Sequence, residues 1–319
     1  MQDFSIVIHG GAGTILRKDI TAAQEAAYLQ ALEEALQYGY AVIEKGGAAL
    51  DAVIAAVKLL EDCILFNAGR GSVFTKTGKH EMDASVMDGS ALQAGAVAGV
   101  CGVKNPVELA VKIMQESEHV MLSGDGALQF AIEHGLKIEV EDYFFSQFRY
   151  NQWQLMKNEN STALDHNVSV SAYAKATVDK DKKFGTVGAV ACDRNGNVAA
   201  ATSTGGMTNK NYNRIGDTPV IGAGTYANNK TCAISCTGHG ELFLKAVAAY
   251  DVSCLMEYRG MSLQQAMETV TLDKLVKING EGGMIGVDAK GNAAMVFNSE
   301  GMYRAMQHSN GNKLVAIYK

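Results

Sequence analysis

Gly185-Thr186-Val187-Gly188-Ala189-Val190-Ala191 opens the most regular stretch of this chain. The apolar run over 186–192 stops at Asp193-Arg194-Asn195-Gly196-Asn197, and residues 198–202 return. A buried run, a turn of Asp, Asn and Gly, and a second buried run predict a β-hairpin. The shape recurs near the end, where 284–287 leads into Asp288-Ala289-Lys290-Gly291-Asn292 and Ala293–Phe297 returns. Two hairpins sharing Asp-x-x-Gly-Asn fit facing or adjacent sheets. Between them, 232–236 reads as a strand, followed by helices at about 240–257 and 262–278.

Upstream of Gly185 the composition changes. From about residue 158 to the 185–186 junction the chain is mostly Asn, Ser, Thr, Asp and Lys, without a clear period, and reads as an exposed, mobile linker. Earlier still, the apolar run 4–9 ends in His9-Gly10-Gly11-Ala12-Gly13, a strand entering a tight glycine loop. Thr21 caps a helix carrying Leu29, Leu32, Leu36, Tyr40 and Ile43 on one face, and Gly46-Gly47 stops it. Leu50, Val53, Ile54, Val57 and Leu60 form the stripe of a second helix. Residues 67–103, rich in Gly, Ala and Val around Asp88-Gly89, predict paired strands. Asn105-Pro106 starts a helix, 120–123 is a strand, and 127–133 is a helix ended by Gly135. Strands and helices are grouped rather than strictly alternating, which favours two packed sheets with helices outside.

The chain has 319 residues, a formal charge of −6 and a sequence pI of about 5.7. That length suits two domain-sized units or one large layered domain. The charge leaves no general basic footprint for nucleic acid. No apolar stretch is long enough to span a membrane. Met1-Gln2-Asp3-Phe4 lacks a basic lead-in, which argues against a secretory signal. The six cysteines are scattered without a C-x-x-C pair and read as buried free thiols of a reducing compartment.

Several chemistries are absent by motif. There is no G-x-x-x-x-G-K-[ST], no G-x-S-x-G, no H-E-x-x-H and no Cys/His cluster, which argues against a P-loop, a hydrolase elbow and catalytic zinc. His9 reads either as a structural histidine at a strand end or as part of a loop that cradles an anion. What remains is Thr, Gly and charge in the second half: Gly185-Thr186, Thr202-Ser203-Thr204-Gly205-Gly206, Arg214-x-x-Asp217 and Thr237-Gly238-His239-Gly240. Singly, each has a plain meaning. Thr186 starts a strand, Thr204 begins a turn, Arg214 and Asp217 form a surface ion pair of little worth, and Thr237 caps a helix.

Together they fit one mechanism. A threonine hydroxyl is a poor nucleophile without a base, and an α-amino group with pKa near 8 can be that base for its own side chain. The arrangement demands a chain cut immediately before the threonine. Gly185-Thr186 lies where a polar linker meets a buried strand, so one new end can leave while the other stays anchored.

The set His9–Gly13, Asn67-Ala-Gly-Arg-Gly-Ser72, Met82-Asp83-Ala84-Ser-Val-Met-Asp88-Gly89, Gly185–Ala191, Ala201-Thr-Ser-Thr-Gly-Gly-Met207 and Ser235-Cys-Thr-Gly-x-Gly-Glu241 resembles the plant-type L-asparaginase and isoaspartyl peptidase family, related to glycosylasparaginase. The resemblance runs from residue 5 to beyond 300. It implies the N-terminal-nucleophile hydrolase fold, an α/β (α+β type) αββα four-layer sandwich forming one domain over 1–319. It implies self-cleavage between Gly185 and Thr186, giving an α subunit 1–185, with the mobile linker at about 158–185, and a β subunit 186–319. By resemblance, Thr186 is the nucleophile, Thr204 orients it, and Thr237 with Gly238 forms the oxyanion hole. Arg214 takes the substrate α-carboxylate, Asp217 and Gly240 take the α-ammonium, and Asn67 lies near the nucleophile. The implied substrates are L-asparagine and β-aspartyl dipeptides, with no cofactor for catalysis and cytoplasmic self-association as (αβ)2. The family also implies a structural sodium ion on backbone carbonyls of Leu60, Glu61, Cys63, Phe66, Ala68 and Arg70, where the sequence alone reads a plain loop after a helix. Two rivals stay open: a glycosylasparaginase-like amidase, and an uncut amino-acid-binding protein using Arg214 and Asp217 without turnover.

Overall fold

Ser5–Gly13 (β1) is buried at every position, because both faces of its sheet are covered. The computed structural model describes residues 3–158 and 185–319; apart from their ends, the linker positions read at about 158–185 lie outside the described residues. After β1 come helices Ala22–Glu44 (α1) and Ala49–Asp62 (α2), then strands Met82–Asp88 (β2) and Gln93–Val100 (β3). Pro106–Glu116 (α3), Met121–Ser123 (β4), Gly124–Glu133 (α4), Glu141–Phe144 (α5) and Gln147–Asn158 (α6) follow. Beyond the linker lie Val187–Cys192 (β5), Val198–Thr204 (β6), Thr225–Ala227 (β7) and Cys232–Gly238 (β8). Helices Gly240–Ala246 (α7), Ala248–Arg259 (α8) and Leu263–Glu268 (α9) precede Gly282–Asp288 (β9), Ala293–Phe297 (β10), Gly301–His308 (β11) and Lys313–Tyr318 (β12).

The strands form two sheets, one of order β12-β11-β1-β5-β6-β2-β3-β4 and one of order β10-β9-β8-β7. Every pairing is antiparallel except β3 with β4. The two Asp-x-x-Gly-Asn hairpins fall in different sheets, β5–β6 in the larger and β9–β10 in the smaller. Asp193 and Asp288 close them identically, each Oδ1 accepting the N–H two and four residues on.

Alternation along each strand decides which layer a side chain enters. In the large sheet Ile6, Ile8, Val187, Ala189, Ala191, Ala199 and Ala201 pack with the helices α1 to α3. Val7, Val190, Cys192, Val198 and Ala200 point the other way and join Ala233, Ile285 and Val287 of the small sheet in a middle cluster. On β8, Cys232, Ile234 and Cys236 face α8 and α9 in a third cluster. Each fully buried branched side chain contributes about 1.5–3 kcal/mol by leaving water. By the same parity His9, Gly188, Thr202, Thr204, Ser235 and Thr237 fall in the middle layer. That layer is apolar at the hairpin end and hydroxyl-rich at the other.

Local chemistry explains some helix starts. Thr21 and Gln24 form the capping box of α1, and Pro106 occupies the first position of α3. The helix expected over 240–257 is two helices, broken at Val247, whose φ of 49° is costly for a β-branched residue. The break lets the first turn of α8 donate Ala249 N–H and Tyr250 N–H to the carbonyls of Ala223 and Gly222. The 262–278 helix contains a π segment over Thr269–Lys274. Strands begin only at Met82 within 67–103, and residues 141–158 carry α5 and α6. No helix among the described residues is long and apolar enough to cross a membrane.

Candidate active site

Thr186 immediately precedes β5, opposite the end of β6, and its position follows from the hairpin register. Val187 pairs with Ser203 and Gly188 with Thr202, which sets Thr186 beside Thr204. The Thr186 hydroxyl donates to Thr204 Oγ1 at 3.2 Å. Thr204 in turn donates to the carbonyl oxygen of Gly185 at 3.0 Å and accepts the Gly206 N–H at 3.0 Å. One hydroxyl therefore grips both the candidate nucleophile and the carbonyl of the peptide bond before it. The preceding carbonyl is polarised by a donor while the attacking oxygen is aimed by an acceptor.

A small cleft opens there, lined by Gly185, Thr186, Thr204, Arg214, Asp217, Gly238 and Gly240 among others. Gly185 forms part of its wall. Thr237 precedes Gly238, is fully buried, and its hydroxyl has no hydrogen-bond partner among the described residues. It does not cap a helix, since α7 begins after His239 without a side-chain cap. Asp217 Oδ2 is buried and also has no partner among the described residues. Buried polar atoms left this way cost about 1–3 kcal/mol each, and both flank a cleft where a ligand could satisfy them.

Arg214 and Asp217 are not a surface pair. Asp217 is 5 % exposed, and the Arg214 fork closes on Glu241, with Nε to Oε1 at 2.8 Å and Nη2 to Oε2 at 2.7 Å. This contact uses the Nε–Nη2 edge of the guanidinium and leaves the Nη1–Nη2 edge available for a second carboxylate. Gly240 is glycine for space: a Cβ there would lie 2.8 Å from Arg214 Nη2 and 2.9 Å from Asp217 Oδ1. Burial pushes the Asp217 carboxyl up to about 7, against the pull of the Arg214 charge. Glu241 goes the other way. Burial would raise it, but hydrogen bonds from His239 and Arg214, with the Arg214 charge, hold it well below the usual carboxylate range. Sequence reasoning missed Glu241. The available signal was an acidic residue in the first turn of a helix, next to a Thr-Gly-x-Gly run.

Asn67 is fully buried. Its Nδ2 donates to Gly206 O at 2.7 Å and its Oδ1 accepts Val73 N–H at 3.0 Å. A Cβ on Gly205 would lie 2.4 Å from Asn67 Oδ1. Asn67 thus braces the 205–206 turn whose N–H reaches Thr204, near the candidate nucleophile as the resemblance implied.

Among the described residues no group of three His, Cys, Asp or Glu side chains could hold a metal. The loop over 60–70 offers backbone oxygens instead. A Cβ on Gly69 would lie 2.5 Å from Glu61 O, and one on Gly71 would lie 2.0 Å from Phe66 O. Gly69 and Gly71 therefore pack directly on backbone oxygens, the donor type that a hard cation takes. Cys63 O and Ala68 O each accept one loop N–H and keep a second lone pair. Arg149 of α6 pins the same loop, donating from Nε to Gly71 O at 3.0 Å and from Nη2 to Leu65 O at 3.3 Å.

The asparaginase family model matches residues 2–317. An isoaspartyl peptidase of Salmonella typhimurium is 50% identical over 319 residues, covering 100% of both chains. One of Escherichia coli is 49% identical, covering 98% of this chain and 96% of its own. A plant-type L-asparaginase of Pyrococcus abyssi is 39% identical, covering 97% and 98%. With the match running almost end to end, this chain belongs to the asparaginase family.

Proposed function

We propose that this protein is a threonine hydrolase that cuts itself between Gly185 and Thr186 and then releases L-aspartate from L-asparagine and from β-aspartyl dipeptides. The observation that carries the reading is the Thr204 hydroxyl, bonded at once to Thr186 Oγ1 and to the Gly185 carbonyl. Family membership and relatives named isoaspartyl peptidase support the substrate class.

In self-cleavage, Thr186 Oγ attacks the Gly185 carbonyl carbon, the C–N bond breaks, and the Oγ proton ends on the departing nitrogen. Water then hydrolyses the ester, leaving Gly185 with a carboxylate and Thr186 with a free amine. Releasing Gly185 from the cleft wall enlarges the space beside Thr186. In turnover the Thr186 amine takes the proton as Oγ attacks the substrate side-chain carbonyl. The developing oxyanion is met by the Thr237 hydroxyl and the Gly238 N–H. Ammonia or an amino acid leaves, and water frees aspartate. Arg214 receives the α-carboxylate on its open edge, while ionised Asp217 and the Gly240 carbonyl receive the α-ammonium. The clamp reads a free aspartyl head and leaves the far side of the β-carbonyl open, so both substrate types fit.

The same reading carries one αββα four-layer domain, supported by the three buried clusters. It places the enzyme in the cytoplasm, supported by six free cysteines, and pairs its αβ units as (αβ)2 by family membership. No cofactor takes part in the chemistry. Backbone oxygens of Leu60, Glu61, Cys63, Phe66, Ala68 and Arg70 would hold a sodium ion that stiffens the loop leading to Asn67, and no step passes through it.

The test is Thr186→Ala beside the wild type. The wild type runs as two chains on a denaturing gel, residues 1–185 and 186–319, and releases ammonia from asparagine. The variant stays one chain and releases none. A variant that is cut, or a wild type that turns over while uncut, overturns the reading. A single inactive wild-type chain that binds aspartate would favour the amino-acid-binding rival.

A further inference from the structure

We propose that His9 is a positioning residue for Thr186, the working end of a one-way relay of buried hydrogen bonds through Ser235, Thr202, Thr225 and Ser85. The inference rests on the threonine-hydrolase reading for its kinetic consequence, though its geometry does not.

The relay's direction follows from its first contact. His9 Nδ1 lies 3.0 Å from the Thr186 carbonyl oxygen. A carbonyl only accepts, so Nδ1 carries the proton. His9 is fully buried and burial pushes its pKa down to about 3, so the ring is neutral and Nε2 is an acceptor. Ser235 Oγ, 2.9 Å away, must then donate to Nε2. Its one proton spent, Ser235 accepts from Thr202 at 2.7 Å. Thr202 in turn accepts from Thr225 at 2.5 Å. Ser85 lies 2.8 Å from Thr225 Oγ1 and 2.6 Å from Thr218 O, so its single proton is shared between them. The relay starts at the nucleophile's backbone and ends beside Asp217, crossing between the two sheets.

Its route also explains Gly188. A Cβ there would lie 2.0 Å from Ser235 Oγ and 2.5 Å from His9 Nε2. No positive φ is involved, so the glycine is required by space alone: the His9–Ser235 bond passes over it.

Holding the Thr186 carbonyl fixes the peptide plane on the C-terminal side of the nucleophile. Before cleavage, Thr186 is also tethered through Gly185, whose carbonyl Thr204 holds. After cleavage that tether is gone and Thr186 is a chain end. The His9 contact then carries much of the task of keeping the amine and hydroxyl aimed. His9 touches neither substrate nor reacting atoms, so its loss should lower kcat and leave KM in place.

Three variants separate positioning from simple structure. In His9→Asn the amide nitrogen overlies Nδ1 and keeps the donor to Thr186 O. In His9→Gln the amide oxygen overlies Nε2 and, as an acceptor, keeps only the Ser235 side. His9→Leu keeps neither. For fully processed enzyme, we expect His9→Asn to retain kcat within about threefold, and His9→Gln and His9→Leu to lose about tenfold or more with KM unchanged, as small misplacements of a reacting group do. Equal loss in all three, or loss expressed in KM, overturns the proposal. The second measurement needs no activity: ¹⁵N-histidine NMR of wild type and Thr186→Ala, with the His9 signal assigned by its absence from His9→Asn. Protonation at Nδ1 alone supports the relay; protonation at Nε2, or at both nitrogens, at neutral pH overturns it. A wild type with the Nδ1–H signal but no hydrolysis would sink the hydrolase reading and leave the relay standing.

Discussion

Asp217 and Glu61 are both buried, each has one carboxylate oxygen without a partner among the described residues, and burial pushes both up, to about 7 and about 8. Their surroundings differ. Asp217 lies at a cleft with a guanidinium beside it, so its charge can form near neutral pH and meet an incoming cation. Glu61 sits between α2 and β6, where Oε1 accepts the Ser203 hydroxyl at 2.6 Å and the Val107 N–H at 3.0 Å. Its nearest charge, Asp62, raises it further. Glu61 therefore stays protonated at neutral pH and works as a neutral wedge. A buried, strained carboxyl is thus not in itself a functional signature; a cleft and an opposite charge beside it make the difference.

The comparison breaks most visibly in activity. Asp217→Asn keeps the shape and removes the charge. We expect kcat/KM for asparagine and β-Asp-Leu to fall about 100-fold, the loss of a buried charge-assisted contact, with cleavage into two chains intact. In the wild type, kcat/KM should rise as pH passes through about 7, because the clamp binds only once Asp217 is ionised. Glu61→Gln should leave that limb where it is; a limb that moves with Glu61 would merge the two carboxyls into one role.

Glu241→Gln tests the arm of the clamp that the free protein already holds. If Glu241 orients Arg214 by its Nε–Nη2 edge, KM should rise about fivefold for both substrates, near 1 kcal/mol, with kcat little changed. A fall in KM would mean that Glu241 competes with the substrate carboxylate.

The smallest effect is on stability. Between the ordinary value of 4.5 and the folded value of about 8, the folded protein keeps a proton on Glu61 that the unfolded chain has released. That group's contribution is fully present below 4.5 and is lost as pH rises through 8. Thermal melts should therefore coincide for wild type and Glu61→Gln at pH 4.5, and at pH 8.5 the variant should melt several degrees higher. A constant offset at both pH values would place the effect in packing.

Strand parity was readable along 186–204, because alternation there is a property of consecutive residues. It assigns Thr202 and Thr204 to one face and Ser203 to the other before any partner is known. The Asp-x-x-Gly-Asn turns were equally local, each satisfied by its own aspartate. Residues 141–158 were less legible, since α6 owes its place partly to Arg149 reaching across to the 65–71 loop. The single helix read at 240–257 failed for the same reason: carbonyls of Gly222 and Ala223, far away in the chain, take the first donors of α8.

Sequence by itself determined the hydroxyls, the glycine-threonine junction and the family, since these are spelled in consecutive residues. Only the tertiary structure decided who holds whom. Arg214 turned to Glu241 rather than to Asp217 three residues on, Asn67 turned to Gly206, and His9 found Ser235 across the gap between sheets. Choosing a hydrogen-bond partner under burial depends on which layers meet and at what register, and no local pattern carries that information.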